Sequence, residues 1–224
     1  MAERVASLGV DERRLNVLPN WANVDHVRPV AHATNALRHA HGLTDKFVVM
    51  YSGNHGVSHR FDDIVEVARR FQRRREIVFL FVGRGARASE IRRAAASLGN
   101  IRCLDFQPYS RLSESLGMGD LHFISLRNGF EGLVVPSKAY GVLAAGRPLL
   151  YQGDARGEVA RMIHEDELGA VVAQGDVDQL TLEIERAYKD VAWRCDIGLR
   201  ARRVAEAKYG HESYYAAYRK ALLG

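Results

Sequence analysis

The sequence predicts an α/β fold: one doubly wound domain with a mainly parallel, Rossmann-like sheet of about six strands and helices on both faces. Two observations support this prediction. After Lys46, short apolar runs alternate with segments whose apolar residues recur every three or four positions, which is the period of a helix. The runs are apolar on both faces, as in parallel strands covered by helices, and the connections between segments are short.

The apolar runs are predicted as strands because they are rich in β-branched and aromatic residues and are bounded by turn formers. The segments between them carry the helical period. In the first of these, the apolar residues between Phe61 and Phe71 share one face. The predicted strands are 46–53, 77–83, 100–106, 120–126, 147–153 and 169–175. The predicted helices are 61–74, 89–99, 110–119, 137–146 and 158–169.

Capping residues and glycines predict where helices begin and end. Ser89 is expected to cap the second helix and Gly99 to end it. From Asp176 onward the chain is predicted to be helical, with breaks at Gly198 and Gly210, because glycine disfavours helix interiors.

The first 45 residues lack this alternation. Leu15–Leu18 predicts a short strand, and a run of turn formers follows it. A short helix is predicted near Ala33–His41. We interpret this region as a linker that enters the α/β domain.

The composition favours a globular chain with anionic partners. Lys and Arg outnumber Asp and Glu by 32 to 27, and the net charge is +5, so nucleotides, nucleic acid or an anionic membrane face would be attracted. The stretch Arg69–Glu76 is typical of a solvated helix end. Membrane attraction is its alternative role, and nucleic-acid binding is disfavoured because no nucleic-acid module surrounds it. No apolar run is long enough to span a bilayer, and two widely separated cysteines favour a reducing compartment.

Ligands of open parallel sheets bind at the carboxyl ends of the strands, so the loops there are the candidate sites. In the first loop, Gly53 and Gly56 allow close backbone approach to a ligand, and His59 and Arg60 add donors at the start of the next helix. A plain glycine-bearing turn between strand and helix explains the same pattern. The loop matches neither the P-loop nor the Rossmann fingerprint.

Two further loops carry candidates. Arg84 directly follows the second strand and could bind a phosphate, or it could be simply solvated. After the third strand, Phe106 could lie against a planar base while Gln107 reads the edge of that base. A core position for Phe106 is the competing interpretation.

The fourth loop combines Glu131 and Gly132 with Pro136, Ser137 and Lys138. A hydroxyl, an ammonium and free backbone N–H groups at a helix start can bind a phosphate together. The alternative is a helix that begins with proline, is capped by serine and carries an incidental lysine.

Six stretches of the chain follow one another in an order that is typical of a known family: VLPNWANVDHVRP, VVMYSGNHG, FLFVGRG, NIRCLDFQPYSRLSESLGMGDLHFISL, VVPSKAYGVLAAGRP and GAVVAQGDVDQL. They resemble the retaining family 4 glycosyltransferases, and in particular the C-terminal, nucleotide-sugar-binding domain of their two-domain GT-B fold. The similar subgroup is that of bacterial enzymes of surface polysaccharide assembly, and the resemblance covers roughly Leu15–Leu223.

The resemblance implies roles for the loop residues. The first loop would approach the donor's diphosphate, with Arg60 as its basic contact. The loop around Phe106 would meet the base, and the loop before Lys138 would offer N–H groups to the sugar and phosphates. The expected donor-binding residues are Gly53, Asn54, Gly56, Arg60, Arg84, Phe106, Gln107, Glu131, Val135, Ser137 and Lys138.

Two departures from the family pattern stand out. Many relatives carry two glutamates eight positions apart, the second of which binds ribose; here those positions are Leu133 and Gly141, and Glu131 is two residues out of register. We therefore assign no catalytic residue. In addition, no acceptor-binding N-terminal domain precedes Leu15, so the sequence is interpreted as an excised domain or as one half of a two-chain enzyme.

We accordingly divide the chain into 1–24, a linker and remnant of an N-terminal domain, 25–208, the nucleotide-sugar-binding domain, and 209–224, a C-terminal helix. The expected function is donor binding in a glycosyltransferase that moves a sugar from a UDP- or GDP-sugar to a polysaccharide or lipid-linked acceptor. A nucleotide-sugar-binding module without activity of its own is the alternative, and an epimerase of the same architecture is a third.

The expected partners are the nucleotide sugar, an acceptor domain in the same or another chain, and an anionic membrane at the inner, cytoplasmic face. Nucleic acid is not an expected partner. Neither a cofactor nor a metal is expected, because no Asp-x-Asp motif is placed to hold a metal beside the diphosphate.

Overall fold

The centre of the molecule is a six-stranded, all-parallel sheet with strand order β3-β2-β1-β4-β5-β6. This computed structural model describes residues 1–223. The strands are β1 (Phe47–Ser52), β2 (Ile77–Val82), β3 (Ile101–Leu104), β4 (Leu121–Ser125), β5 (Leu149–Gln152) and β6 (Gly169–Val172). Each lies within a run that the sequence predicted as a strand, and the predicted fold class is confirmed.

Helices connect the strands and cover both faces of the sheet. None of the helices among residues 1–223 is long and apolar enough to cross a bilayer. The helices are α1 (Ala2–Ser7), α2 (Ala36–Ala40), α3 (Asp62–Arg70), α4 (Ala88–Ser97), α5 (Leu112–Gly117), α6 (Lys138–Ala144), α7 (Glu158–Asp166), α8 (Val177–Lys189), α9 (Val191–Lys208) and α10 (His211–Leu223).

Alternate strand residues enter different cores. In β1, Val49 and Tyr51 pack with α3, α4 and α8 on one face of the sheet. Val48 and Met50, on the opposite face, pack with α2. Farther along this second face, α5, α6, α7 and α9 cover β4 and β5. Because side chains alternate along a strand, strands buried on both faces must be apolar throughout.

The junction between β1 and β4 is held by a buried ion pair at the amino ends of the two strands. The Asp120 carboxylate accepts a hydrogen bond from the Val48 amide at 2.8 Å and one from the Arg38 guanidinium at 3.0 Å. Arg38, with 1% of its side chain exposed, also donates to the carbonyl oxygens of Met118, Leu43 and Lys46. These bonds pair the carboxylate with the guanidinium and satisfy its two terminal nitrogens, though not Nε. They lie where only two residue pairs align β1 with β4.

Three predictions about local structure are wrong. No strand forms within Leu15–Leu18. Ser89 lies inside the first turn of α4 and does not cap it; the N-cap position is Arg87, and no side chain makes a capping bond there. Gly198 does not break a helix but lies within α9, which begins after Asp190; the Asp190 carboxylate accepts a hydrogen bond from the Trp193 amide. The break predicted at Gly210, between α9 and α10, is confirmed.

Gly198 is explained by packing. A Cβ atom at this position would lie 2.6 Å from the carbonyl oxygen of Gly146. The residue therefore lets the backbone of α9 approach the end of α6, at a cost in helix propensity.

We expect Gly198→Ala to lower the free energy of unfolding by about 1–3 kcal/mol, because the added methyl group must displace backbone atoms. Gly141→Ala, inside α6, is the matched control. A Cβ atom there would meet only Leu116 Cδ1, at 3.4 Å, so the alanine should stabilise by about 0.5–1 kcal/mol. Urea unfolding measures both, and a neutral or stabilising Gly198→Ala would contradict the packing explanation.

We expect Asp120→Asn to cost about 3–5 kcal/mol in urea unfolding, because Arg38 would keep its charge in the interior without a carboxylate. Asp178→Asn is the control: that carboxylate is 85% exposed in its ion pair with Arg70, so no measurable change is expected. If both variants unfold at the same urea concentration, the ion pair between Asp120 and Arg38 does not stabilise the junction of β1 and β4.

Candidate anion-binding site

The candidate site lies where the strand order reverses, at the carboxyl ends of β1 and β4. The loops that follow these two strands are bonded to each other. The Arg127 amide donates to the Ser58 carbonyl at 2.8 Å, and the Arg60 amide donates to Ser125 Oγ at 3.1 Å. Two loops that the sequence singled out separately are therefore parts of one site.

Lys138, the first residue of α6, reaches across this junction to β1. A Cβ atom at Gly53 would lie 3.1 Å from Lys138 Cε, and Gly53 has φ +134°. Glycine is thus required here by both its backbone conformation and the lysine side chain beside it.

The Lys138 ammonium rests on two neutral groups. Its Nζ donates to the Tyr51 hydroxyl and lies 4.0 Å from the centroid of the Tyr51 ring. It also lies 3.1 Å from His59 Nε2. The Tyr51 hydroxyl donates to the Asn54 carbonyl at 2.7 Å, and His59 Nδ1 is 2.5 Å from the Ser125 carbonyl. Nδ1 must therefore carry the proton, and both lone pairs face the ammonium.

No carboxylate within residues 1–223 lies within 4.0 Å of this ammonium. Burial lowers the pKa of Lys138 to about 7. Burial, with the charge of Lys138 next, lowers the pKa of His59 to about 4, so His59 is neutral near pH 7. A half-buried cation with only neutral partners can accept an anionic ligand, which would supply the missing charge.

The two predicted arginines are already paired with acids. Arg60 lies 3.2 Å from Asp63 and 3.4 Å from Asp62. Arg84 is exposed and lies 3.0 Å from Asp105. Of the cations predicted to bind the donor, Lys138 is the one whose contacts are all neutral groups within the described residues.

Phe106 is 53% exposed, so it does not occupy the core, which was the competing interpretation. Its ring lies beside the backbone of Gly83: a Cβ there would be 3.2 Å from Phe106 Cε1. Gln107 Nε2 donates to the Asp105 carbonyl at 3.1 Å. The Phe106 ring is thus accessible at the edge of the sheet.

The Asn54 side chain is wedged between two glycines. Its Nδ2 would lie 3.2 Å from a Cβ at Gly56, and its Oδ1 would lie 2.5 Å from a Cβ at Gly85. Gly56 therefore serves the packing of its own loop. A direct contact of Asn54 or Gly56 with a ligand stays a prediction.

In the loop before α6, some polar groups of the predicted donor-binding residues have hydrogen-bond partners within the protein and others have none. Glu131 accepts from the Gly129 amide at 2.7 Å, while its other carboxylate oxygen is buried without a hydrogen-bond partner. Ser137 occupies the N-cap position of α6, but its hydroxyl makes no capping bond, so the capping role is not observed. Val135 packs against the core beneath α6. Donor binding by these three residues stays a prediction.

Sequence reasoning missed Tyr51 and His55, whose rings lie side by side at this edge with centroids 5.2 Å apart. Tyr51 lies in a run predicted as a buried strand, and His55 lies in the first loop, where the sequence predicts only His59 and Arg60 as side-chain donors. Their position in the sequence could have identified both residues, because polar groups at the carboxyl end of a strand lie at the binding edge of the sheet.

Doubly wound α/β domains bind ligands, nucleotides among them, at the topological switch point. This chain is such a domain, with a candidate anion-binding site at that point. The particular family follows from the sequence. The chain belongs to the glycosyl transferases group 1 family, whose profile matches residues 46–190.

Two curated relatives match most of the chain. WcaI of Escherichia coli K12, named for glycosyl transfer in colanic acid biosynthesis, is 30% identical over 166 residues, which cover 72% of this chain and 40% of WcaI. WbjE of Pseudomonas aeruginosa, named as a glycosyltransferase, is 28% identical over 161 residues, which cover 71% of this chain and 40% of WbjE. The chain thus spans less than half the length of either relative.

Solved structures confirm the GT-B-type fold. HepE of Anabaena in complex with UDP and glucose matches with a TM-score of 0.83 at 13% identity, covering 99% of this chain and 60% of HepE. WaaG, a glycosyltransferase of lipopolysaccharide biosynthesis, matches with a TM-score of 0.77 at 18% identity, covering 96% of this chain and 58% of WaaG.

Lys138→Met should raise the melting temperature, because it removes a charge from a site with no carboxylate. The folded-state pKa of Lys138 is about 7, against about 10.4 for an exposed lysine. Between these values the unfolded chain binds more protons, so wild-type stability rises with pH. The advantage of the methionine variant is therefore greatest below about pH 7 and vanishes by about pH 10.

Thermal unfolding from acidic to alkaline pH measures this difference. Lys189→Met, at an exposed lysine paired with Glu185, controls for the loss of one charge and should not stabilise the protein. A destabilising Lys138→Met at neutral pH would show that the lysine is a structural element and not a poised ligand group.

Proposed function

We propose that this chain is the donor-binding half of a retaining glycosyltransferase, which transfers a hexosyl group from a UDP- or GDP-sugar to a polysaccharide or lipid-linked acceptor. The observation that carries the proposal is the Lys138 ammonium. It is half-buried at the switch point, and its polar contacts among the described residues are the neutral groups of Tyr51 and His59. A diphosphate bound there would supply the charge that this site lacks.

The chemistry required is charge stabilisation. When the bond between the sugar's anomeric carbon and the diphosphate oxygen breaks, negative charge grows on the leaving diphosphate. Lys138, fixed by its two acceptors, would donate to the diphosphate without having to reorganise during the reaction. Arg60 would assist only by turning from Asp62 and Asp63, and we assign no nucleophile.

The comparisons support the substrate class. HepE structures contain UDP with glucose, and UDP-glucose, and WcaI and WaaG are named for colanic acid and lipopolysaccharide biosynthesis. The part of these proteins that this chain does not match would bind the acceptor, in the same or another chain.

The proposal includes a cytoplasmic location with peripheral contact to an anionic membrane, through Arg69–Glu76. This stretch precedes β2, at the amino edge of the sheet and away from Lys138. Arg70 is engaged by Asp178 at 2.6 Å. A membrane contact would therefore leave the donor edge of the sheet free.

Calorimetric titration tests the donor site. UDP-glucose and GDP-glucose are suitable because their diphosphate has no proton that titrates near neutral pH. Lys138→Met should weaken binding of the preferred sugar nucleotide about 10–100-fold, which corresponds to the loss of a charged hydrogen bond of about 1.5–3 kcal/mol. Affinity for the free nucleoside should not change.

Wild-type affinity should also fall as the pH rises above about 7, because Lys138 loses its proton, and Lys138→Met should lose this dependence. Lys189→Met, at the opposite edge of the sheet, should bind as the wild type does. If neither sugar nucleotide binds, or if nucleoside and sugar nucleotide lose affinity equally, Lys138 does not bind the diphosphate.

A further inference from the structure

Lys138 has a long, flexible side chain, and two buried groups fix where its ammonium lies. Its Nζ donates to the Tyr51 hydroxyl and lies 3.1 Å from His59 Nε2. Tyr51 is 1% exposed and His59 is 6% exposed, so any effect of these residues on a ligand passes through Lys138. An ammonium has three N–H groups. Two of them therefore point into the protein, and one remains for a ligand.

The backbone of β4 determines which nitrogen of the His59 ring presents a lone pair to Lys138. His59 Nδ1 lies 2.5 Å from the Ser125 carbonyl oxygen, and a carbonyl oxygen only accepts hydrogen bonds. In the neutral imidazole the ring proton must therefore lie on Nδ1. Nε2 is then an acceptor, and the bond between it and Lys138 is one that the lysine donates.

The orientation of the His59 ring is fixed by contacts on several sides. The His59 amide donates to the Gly56 carbonyl at 3.1 Å, and the His59 carbonyl accepts from Arg87 Nη1 at 2.7 Å. The ring meets the Tyr51 ring edge-on, with centroids 5.7 Å apart and planes at 73°. Together with the bond to Ser125, these contacts keep Nε2 directed at Lys138.

Besides Lys138, three titratable groups meet at this point of the described chain: Tyr51, His59 and His55. Burial raises the pKa of Tyr51 far above its usual range. Burial, with the charge of Lys138 next, lowers the pKa of both histidines to about 4. All three groups are therefore neutral near pH 7, and none of them repels or neutralises the ammonium as a charge.

The two acceptors act on the protonation of Lys138 as well as on its position. A hydrogen bond to the charged form of a group favours that form. Burial has the opposite effect and lowers the pKa of Lys138 to about 7. The lone pairs of His59 and Tyr51 therefore oppose the effect of burial and help the lysine to keep its proton.

We propose that His59 is a positioning residue for the donor reaction: its Nε2 lone pair, together with the Tyr51 hydroxyl, keeps Lys138 protonated and directs the third N–H of the ammonium to the diphosphate. The inference rests on the proposed function and adds to it the residue through which Lys138 is oriented. His59 contributes a fixed acceptor and does not touch the donor. A side chain that places an acceptor at the same point should therefore replace it.

NMR spectroscopy of the ligand-free chain tests this arrangement without any nucleotide. The ring nitrogen signals of His59 should show a proton on Nδ1 and none on Nε2 at neutral pH. The side-chain carbon signals of Lys138, followed through a pH titration, give its pKa. His59→Leu should lower this pKa below the wild-type value of about 7, because the ammonium loses an acceptor. Tyr51→Phe, which removes the other acceptor, should lower it too.

His59→Gln is the matched variant, because its side-chain carbonyl can accept from Lys138 near the position of Nε2. It should leave the pKa of Lys138 close to that of the wild type. His164→Leu, at an exposed histidine on α7, is the control and should not change this pKa. A proton on Nε2 in the wild type, or an unchanged Lys138 pKa in both His59→Leu and Tyr51→Phe, would show that the two residues only support the fold.

Calorimetry with the preferred sugar nucleotide tests the role of His59 in donor binding. His59→Leu should bind about tenfold more weakly than the wild type at about pH 8 and lose little at about pH 6, where the higher proton concentration restores the ammonium. His59→Gln should recover most of the affinity. No loss at pH 8, or a loss that is equal at the two pH values and not recovered in His59→Gln, would overturn the positioning role and leave the diphosphate site intact. A wild type that binds no sugar nucleotide would overturn the proposed function itself, whatever the NMR spectra show.

Discussion

The structure depends on the contact between β1 and β4, where its two halves meet. Only two residue pairs align these strands, so side chains must complete the junction. At the amino end, the Asp120 carboxylate joins the Val48 amide to the buried Arg38. At the carboxyl end, Ser125 accepts hydrogen bonds from His59 and from the Arg60 amide. The same junction therefore holds the sheet together at one edge and orients the candidate site at the other.

The candidate site contains buried polar groups that lower the stability of the folded protein. In the part of the chain that the structure describes, Lys138 is a half-buried cation with no acid within 4.0 Å, and His55 is a buried imidazole without a hydrogen-bond partner. The two other cations that the sequence predicted as phosphate ligands are paired with acids, Arg60 with Asp63 and Arg84 with Asp105. Lys138 and His55 lie together at the edge of the sheet where ligands of parallel sheets bind, which supports the donor site proposed above.

Two glycines show what the sequence pattern could predict about helix ends and what it could not. Gly210 was predicted to separate two helices, and it does; Gly198 was predicted to do the same, and it lies inside α9. The sequence pattern around these residues does not distinguish a helix end from a close contact. What distinguishes them is the carbonyl oxygen of Gly146, 52 positions earlier in the chain, which leaves no space for a Cβ atom at Gly198. At Gly53 the structure adds a contact with Lys138, and the contact of Gly53 with a ligand stays a prediction.

The sequence by itself determined the strands, most of the helices, the fold class and the loops that carry the site, because these follow from apolar periodicity and from the rule that parallel strands share a binding edge. Only the tertiary structure decided which cation lacks an acid. By residue type, Arg60, Arg84 and Lys138 are all suitable phosphate ligands. The acids beside Arg60 are its sequence neighbours Asp62 and Asp63. The partners of the other two are distant in sequence: Asp105 lies beside Arg84, and Tyr51 and His59 lie beside Lys138. A residue's charge is local information, whereas its burial and its partners are not.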